Sequence, residues 1–210
     1  MQEKVLNNPL VNHKLSILRE KDTPTKEFRE IIKELAILLC YEAFSDEPTT
    51  PVEIETPIAK MKTTTVDMGN YAFVPILRAG LGMVDGILQV IPNASIGHIG
   101  LQRNEETLEP IEYYFKMPKD IDKRTVLLLD PMLATGGSAV NAISQLKKRG
   151  VKKIKFLCIV SAPQGIEAIK KNHPDVQIFT TAVDEKLNDK GYIVPGLGDA
   201  GDRIFGTVNK

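Results

Sequence analysis

The sequence predicts an α/β fold in which helices flank a mostly parallel sheet. Short runs that are apolar throughout alternate with segments of helical periodicity, and such runs are typical of strands covered on both faces. The predicted strands are residues 71–77, 94–101, 125–130, 154–162 and 176–182, and the predicted helices among them are residues 82–91, 137–149 and 163–172. Strand and helix in repetition favour a Rossmann-like core sheet over residues 66–182.

Two further helices are predicted before this core. In residues 24–44, apolar side chains recur at steps of three and four, and acidic residues lie near the positive end of the helix dipole. A weaker pattern of the same kind occupies residues 9–20. We expect residues 1–45 to form a helical arm, and residues 45–66, which are rich in proline and threonine, to form a loop.

Length and composition indicate one globular domain over residues 1–210. A chain of 210 residues, 42% of them hydrophobic, can bury one substantial core. The 27 basic and 27 acidic residues cancel, which argues against charge-driven binding to a polyanion or a membrane surface.

Cys40 and Cys158 lie in apolar stretches without neighbours at metal-ligand spacing, so we expect both to be buried and unreactive. The scarcity of cysteine and the lack of an apolar run of roughly 18 residues predict a cytoplasmic protein.

The turn after the strand 125–130 is the clearest candidate for a ligand site. Ligands of parallel sheets bind beyond the carboxyl ends of the strands, and here Asp130 ends a strand and residues 134–138 lead into a helix. Main-chain N–H groups of such small residues converge on an anion, and this turn lacks the lysine of a triphosphate-binding loop. A phosphate monoester, beside a carboxylate that accepts hydroxyl groups, describes a ribose 5-phosphate. A plain glycine-containing connection between strand and helix is the alternative.

The complete string favours the ligand site over the plain connection. "LLLDPMLATGGSA" at residues 127–139 resembles the phosphoribosyl-diphosphate signature of type I phosphoribosyltransferases, with Pro131 where the wider superfamily has a second acid. That form is similar to the uracil phosphoribosyltransferase family. The segments at residues 8–15, 75–86, 97–103, 112–118 and 188–207 resemble segments of that family in the same order. The resemblance covers nearly the whole chain and implies the type I phosphoribosyltransferase fold.

The resemblance implies an enzyme that joins uracil to 5-phospho-α-D-ribose 1-diphosphate, giving UMP and diphosphate in pyrimidine salvage. It assigns catalytic roles to Arg78, Arg103, Asp130 and Asp199, and it adds to these, for binding of the sugar diphosphate, Pro131, Met132, Leu133, Ala134, Thr135, Gly136, Gly137 and Ser138. It assigns the uracil pocket to Ile193, Gly198, Asp199 and Ala200. An arginine is usually only a surface residue, but both of these arginines follow predicted strands, where a parallel sheet collects its ligands.

The same resemblance implies a cofactor and an assembly. Mg²⁺ is expected to arrive with the diphosphate, because no cluster of carboxylates marks a protein metal site. Residues 104–118 are too long and polar for a tight connection, and we expect them to form a mobile flap that excludes water. Residues 183–210 are expected to form a small hood over the base. The family implies a homodimer or a dimer of dimers, and some relatives respond to GTP.

Two other functions are compatible with this fold. A regulator could sense the sugar diphosphate while it binds RNA, but such a protein needs a basic face, which a net charge of zero does not favour. The enzyme could instead use another base, such as hypoxanthine or xanthine. The match at residues 188–207 argues against that second alternative, and an assay with a panel of bases discriminates between them.

Overall fold

The computed structural model describes residues 3–103 and 110–207, which contain thirteen strands and six α-helices. The strands are β1 (Glu3–Val5), β2 (Thr50–Glu55), β3 (Lys60–Thr65), β4 (Tyr71–Leu77), β5 (Ser95–Ile96), β6 (His98–Arg103), β7 (Pro110–Lys116), β8 (Thr125–Leu129), β9 (Met132–Leu133), β10 (Lys153–Ser161), β11 (Gln177–Val183), β12 (Lys186–Leu187) and β13 (Ile193–Val194). The helices are α1 (Pro9–Arg19), α2 (Thr25–Ala43), α3 (Leu81–Val90), α4 (Gly137–Lys148), α5 (Pro163–Asn172) and α6 (Ala200–Phe205).

Most of the strands form one central sheet. Its order is β1, β11, β10, β8, β4, β6 and β7, with β5 paired to β4 and β9 paired to β10. All of these pairs are parallel except β6 with β7. Strand β8 lies in the middle, where Val126 is level with Ala72 of β4 and with Ile154 of β10. The prediction of a mostly parallel sheet flanked by helices is confirmed.

Helices cover both faces of the sheet, and this explains why its strands lack alternation. In β8, Leu127 and Leu129 pack into one apolar layer, while Val126 and Leu128 pack into the other. The first layer contains α1, α2, α3 and α6, and the second contains α4 and α5. Each fully buried Leu or Ile stabilises the fold by about 1.5–3 kcal/mol. Burial on both sides therefore selects apolar residues at four successive positions of β8, Val126 to Leu129.

Two segments differ from the sequence prediction. Residues 45–66 were expected to form a loop, but β2 and β3 pair as an antiparallel hairpin from Thr50 opposite Thr65 to Glu55 opposite Lys60. The hairpin is exposed along nearly its whole length, so it lacks the buried face that makes a strand recognisable in a sequence. Strand β1 pairs in parallel with β11 and extends the sheet beyond the range 66–182. Three residues are too few to produce a periodic signal.

The expected flap and hood are described in part. Of the flap, residues 110–116 form β7, which pairs with β6, whereas residues 104–109 lie outside the described residues. Within the hood, β12 and β13 form a small antiparallel ribbon, α6 follows it, and residues 208–210 again lie outside the described part. The division of the chain into arm, core and hood stays a prediction.

Both cysteines are free and buried, as the sequence predicts. Cys40 is 1% exposed and Cys158 is 0% exposed. Burial raises the pKa of each thiol to about 12. Because the thiolate is the reactive form, both residues act as small apolar groups of the core.

Candidate active site

The segment after β8 anchors the candidate site in the sheet. The Asp130 N–H donates to the Leu157 carbonyl at 3.2 Å, and the Pro131 carbonyl accepts from the N–H groups of Ile159 and Val160 at 2.9 and 3.0 Å. Proline fits here because its carbonyl makes the contacts with β10. Pro131 and Leu133 are buried, so beyond the sheet only their main-chain groups remain for a ligand.

The turn at residues 134–138, called here the small-residue turn, requires glycine at one position. Gly136 caps α4 with a φ of +84°, and a Cβ atom there would lie 2.7 Å from the Cβ of Ala168 in α5. A Cβ atom on Gly165 of α5 would lie 2.6 Å from the Ala134 carbonyl oxygen. The turn therefore rests directly on α5, and no side chain fits between them. At Gly137, in contrast, a Cβ atom would meet only Thr135 Oγ1, at 3.8 Å.

The outer side of this turn presents hydrogen-bond donors. Thr135, Gly137 and Ser138 are exposed, and the Gly137 N–H lies 3.5 Å from Thr135 Oγ1. The first N–H groups of a helix have no acceptor within the helix, and the helix dipole makes this end positive. Basic residues, Lys147 and Lys148, occupy the last turn of α4 at the opposite end. The start of α4 is therefore suited to an anion.

Asp130 lies beside the small-residue turn, and its carboxyl group is a weaker acid than usual. Asp130 is half-buried, and desolvation of its carboxyl group raises its pKa to about 7. The Met132 N–H, 3.3 Å from Asp130 Oδ1, acts in the opposite direction, and the charge of Asp199 raises the pKa further. Hydroxyl donors or a cation at this position would favour the carboxylate form.

Arg78 follows β4 at the neighbouring strand end. Its peptide bond to Leu77 is cis, and its side chain is 59% exposed. The guanidinium lies 3.6 Å from Asp202 and 5.7 Å from the centre of the Phe205 ring, both in α6. A Cβ atom on Gly80 would collide with the Leu129 carbonyl of β8, so glycine lets this turn pack against the adjacent strand end. Arg78 is thus exposed, while the chain that carries it is fixed.

The backbone of the hood turns sharply before α6. Gly191, Gly196 and Gly198 all have positive φ, and the peptide bond between Val194 and Pro195 is cis. The family resemblance assigns Ile193 to the uracil pocket. The residue is 4% exposed and its side chain belongs to the core, so its main chain is the part that could contact a ligand.

The start of α6 follows this turn. Gly198 and Asp199 are exposed and Ala200 is buried. The Asp199 carboxylate accepts the Asp202 N–H at 2.9 Å and caps α6. The predicted uracil residues therefore form a short connection that leads from the core to this helix.

These elements meet at the carboxyl edge of the sheet. A Cβ atom on Gly191 would lie 3.9 Å from Thr135 Cγ2, and one on Gly201 would lie 3.8 Å from Ala79 Cβ. The hood is therefore in contact range of both the small-residue turn and the Arg78 turn. The backbone of Arg103 ends β6, two strands away from β8, and its side chain lies outside the described residues.

The described residues also limit what the chain can hold alone. Within residues 3–103 and 110–207, no three His, Cys, Asp or Glu side chains come together as a group that could hold a metal ion. No helix in those same ranges has the length and apolar character needed to cross a membrane.

Comparison with known proteins identifies the family. A family model described as uracil phosphoribosyltransferase matches residues 5–207. The chain belongs to the uracil phosphoribosyltransferase family. A curated uracil phosphoribosyltransferase of Geobacillus sp. is 59% identical over 203 residues, which are 97% of each chain. Uracil phosphoribosyltransferase is a pentosyltransferase, so this family membership also confirms the expectation of an enzyme.

Solved structures agree with this family at the level of the fold. A structure from Aquifex aeolicus is 42% identical, with a TM-score of 0.93 over 99% of this chain and 100% of that one. A hypoxanthine-guanine phosphoribosyltransferase from Bacillus anthracis is 12% identical, with a TM-score of 0.50 over 77% of this chain and 79% of that one. The second similarity concerns the fold alone and extends it to a phosphoribosyltransferase named for other bases.

Sequence reasoning missed one polar residue at this edge of the uracil phosphoribosyltransferase fold. Asp202 faces Arg78 and also accepts from the Thr207 hydroxyl at 2.6 Å. The sequence contains one signal for Asp202: it lies three residues after Asp199, so both acids belong to the start of the same helix. The sequence motifs do not reveal that partner, because Arg78 lies 124 positions earlier in the chain.

Proposed function

We propose that the chain transfers the 5-phosphoribosyl group from 5-phospho-α-D-ribose 1-diphosphate to uracil, giving UMP and diphosphate, at the edge described above. One observation carries this proposal: the small-residue turn, Asp130 and the hood lie together at the carboxyl edge of a parallel sheet. Family membership supports the same reaction.

The 5′-phosphate is proposed to bind the small-residue turn. Main-chain N–H groups of residues 134–138 and the hydroxyls of Thr135 and Ser138 are its donors. Asp130 accepts the ribose hydroxyls, and their approach favours its carboxylate form. Pro131, Met132 and Leu133 contribute main-chain groups and hold the turn on β10.

Arg78 and Arg103 are proposed to bind the diphosphate. Cleavage of the bond between C1 and oxygen leaves positive character on the sugar and additional negative charge on the departing diphosphate. A guanidinium group makes paired hydrogen bonds to phosphate oxygens and stabilises that charge where it develops. The exposure of Arg78, with Asp202 as a weak partner at 3.6 Å, supports this role because the side chain is free to reorient toward the ligand.

Uracil is proposed to bind between β13 and the start of α6, at Ile193, Gly198, Asp199 and Ala200. Main-chain groups there can match the O2, N3–H and O4 pattern of the base edge. An N–H group directed at O4 would oppose the amino group of cytosine, donor against donor. Such unpaired polar groups are how a buried site rejects a close analogue.

Mg²⁺ fits the residues at this edge as a companion of the substrate. Magnesium in such sites is held by one or two carboxylates together with substrate phosphates and water. Asp199, exposed at the start of α6, and Asp130 are near enough to influence one another electrostatically, and they suit this role. When bound, the ion neutralises charge on the departing diphosphate.

The remaining contribution is orientation without a covalent nucleophile. Holding two substrates in line supplies a large part of the rate enhancement. The proposed flap, residues 104–118, closes over the sugar and excludes water. Its described part is fastened to the end of α4, where Arg149 contacts the Phe115 ring and pairs with Glu112 at 3.1 Å. Deletion within residues 104–109 should raise hydrolysis of the sugar diphosphate relative to transfer.

A homodimer or a dimer of dimers is proposed as the assembly. The hairpin of β2 and β3 supports this, since Ile54, Met61 and the 93% exposed Ile58 present apolar surface to solvent. The RNA-binding regulator has no support, because the net charge is zero and the family match is to an enzyme.

The decisive experiment is incubation with labelled uracil, the sugar diphosphate and Mg²⁺, followed by detection of UMP. Asp130→Asn and Arg103→Ala should each depress turnover severely, and unaltered turnover in either would remove that assignment. A panel of uracil, cytosine, hypoxanthine and xanthine tests the base. Product from a purine, and none from uracil, would refute the proposal.

A further inference from the structure

We propose that Arg19 and Asp184 are positioning residues that set the uracil half of the site, an inference that rests on the proposed function. Arg19 is the last residue of α1, and Asp184 follows β11, 165 positions later in the chain. They form a paired ion contact: Nη2 lies 2.6 Å from Oδ1 and Nη1 lies 2.8 Å from Oδ2. The Asp184 side chain is 5% exposed, so this carboxylate depends on its partners.

The pair holds both polar groups of one hood residue. The Gly196 N–H donates to Asp184 Oδ2 at 2.8 Å, and the Gly196 carbonyl accepts from Arg19 Nη1 at 2.6 Å. Nη1 thus bridges Asp184 and Gly196 and closes a ring of charge-assisted hydrogen bonds. Gly196 has a φ of +62°, and a Cβ atom there would collide with the Ile193 carbonyl. Both its conformation and its hydrogen bonds are therefore fixed.

Gly196 lies between the proposed uracil contacts, three residues after Ile193 and two residues before Gly198. The direction in which Gly198 leaves the core follows from the orientation of the Gly196 peptide groups. A second fastening acts on the next residue, since Arg203 Nη1 donates to the Leu197 carbonyl at 2.7 Å and to the Leu18 carbonyl at 2.8 Å. The end of α1 is thus tied twice to the segment that leads into the uracil contacts.

This arrangement predicts different effects on the binding of the two substrates. The small-residue turn is fixed by its packing on α5 and by the hydrogen bonds that Pro131, just before it, makes with β10, and neither involves Arg19. Weakening the hydrogen bonds of Arg19 and Asp184 to Gly196 should displace the main-chain groups that are proposed to face uracil. Asp199, which is also proposed to face the diphosphate, is held separately by its hydrogen bond from the Asp202 N–H in α6. Binding of the sugar diphosphate should therefore remain nearly unchanged. A role in stability alone would lower folding without this distinction between substrates.

The test uses Arg19→Lys, which keeps the charge opposite Asp184 but cannot bridge both partners in the same way. We expect KM for uracil to rise roughly 10–100-fold. KM for the sugar diphosphate should stay within about twofold of the wild type, and the preference for uracil over cytosine should fall. Asp184→Asn should raise KM for uracil in the same way.

Arg124→Lys is the matched control. Arg124 pairs with Asp120 at 2.9 and 3.0 Å and donates to the carbonyls of Gly69 and Tyr71, at the amino edge of the sheet. Arg124→Lys should reduce thermal stability to a degree similar to that of Arg19→Lys and leave KM for uracil unchanged.

Each outcome decides the matter. A wild-type chain that forms no UMP refutes the proposed function itself, whereas an active wild type with an unchanged uracil KM in Arg19→Lys overturns only the positioning role. Equal rises in both KM values, or the same uracil effect in Arg124→Lys, would also overturn it. If Arg19→Lys fails to fold, the two KM values of Asp184→Asn are used in its place. Loss of folding in both variants would make the pair structural and refute the proposal.

Discussion

Substitution of Gly136 by alanine tests the claim that the small-residue turn is built directly on α5. The new alanine would have to keep the φ of +84°, and its methyl group would lie 2.7 Å from Ala168 Cβ. A left-handed conformation costs a residue other than glycine about 1–2 kcal/mol, and overpacking of this kind costs about 1–3 kcal/mol. Ala168 Cβ belongs to a helix and cannot move aside as a flexible side-chain end would. We therefore expect Gly136→Ala to lose about 2–5 kcal/mol of folding free energy.

Urea titration gives the free energy of unfolding, and a thermal scan should show a midpoint lower by roughly 4–20 °C. The ligand is measured separately, as the stabilisation that saturating sugar diphosphate adds to each variant. Because the strained residue lies within the turn, both the stability and this added stabilisation should decrease in Gly136→Ala.

Gly137→Ala is the matched comparison, one residue further along the same turn. Its Cβ atom meets only Thr135 Oγ1 at 3.8 Å, so stability should be unchanged or higher by up to about 1 kcal/mol. The methyl group lies on the exposed side, where the phosphate is proposed to approach the main chain, and binding of the sugar diphosphate should weaken. Equal stability of the two alanine variants would refute the packing argument, and unchanged binding in Gly137→Ala would refute the proposed phosphate contact.

Three further expectations follow from the same residues. The raised pKa of Asp130, about 7, means that the native state keeps a proton which the unfolded state releases above about pH 4, so stability falls as pH rises from about 4 to 7. Asp130→Asn should remove up to about 4 kcal/mol of that loss of stability. If the free energy of unfolding, measured with urea at each pH, fell equally in the wild type and in Asp130→Asn, this expectation would be contradicted. Arg78→Ala should lower kcat/KM for the sugar diphosphate about 10²–10³-fold while stability changes by less than about 0.5 kcal/mol, because the side chain is exposed. Cys40 and Cys158 should resist a thiol reagent at pH 8 and react fully in urea, and a reactive native thiol would contradict their burial.

The central sheet could be predicted because burial on both faces leaves a strong trace in the sequence. Strand β4 coincides with the run at residues 71–77, and helix α5 coincides with residues 163–172. The boundaries of the other predicted helices agree to within one residue, since capping and glycine signals mark them. The hairpin of β2 and β3 escaped prediction for the opposite physical reason: its side chains face solvent, so selection for an apolar face is absent.

The small-residue turn could be predicted because all its parts are contiguous. A buried strand, an acid, small residues and a helix follow one another within residues 125–148, and the order alone puts donors and carboxylate at one strand end. Local chemistry also explains Gly136, whose positive φ is a requirement of the turn itself. No long-range contact has to be known for this half of the site.

The uracil half depends on contacts that the order of residues does not encode locally. Gly196 is held by Arg19 and Asp184, from the end of α1 and the end of β11, and neither residue has a motif around it. Ile193 shows the same limit: the resemblance selects it for the pocket, and only the fold reveals that its side chain fills the core. Contiguous motifs therefore predict the chemistry of the sugar phosphate, whereas the proposed recognition of the base rests on how the amino-terminal helix is packed against the hood. For this reason, substitutions at the end of α1, far in the sequence from both the small-residue turn and the hood, should alter the choice of base before they alter the binding of phosphate.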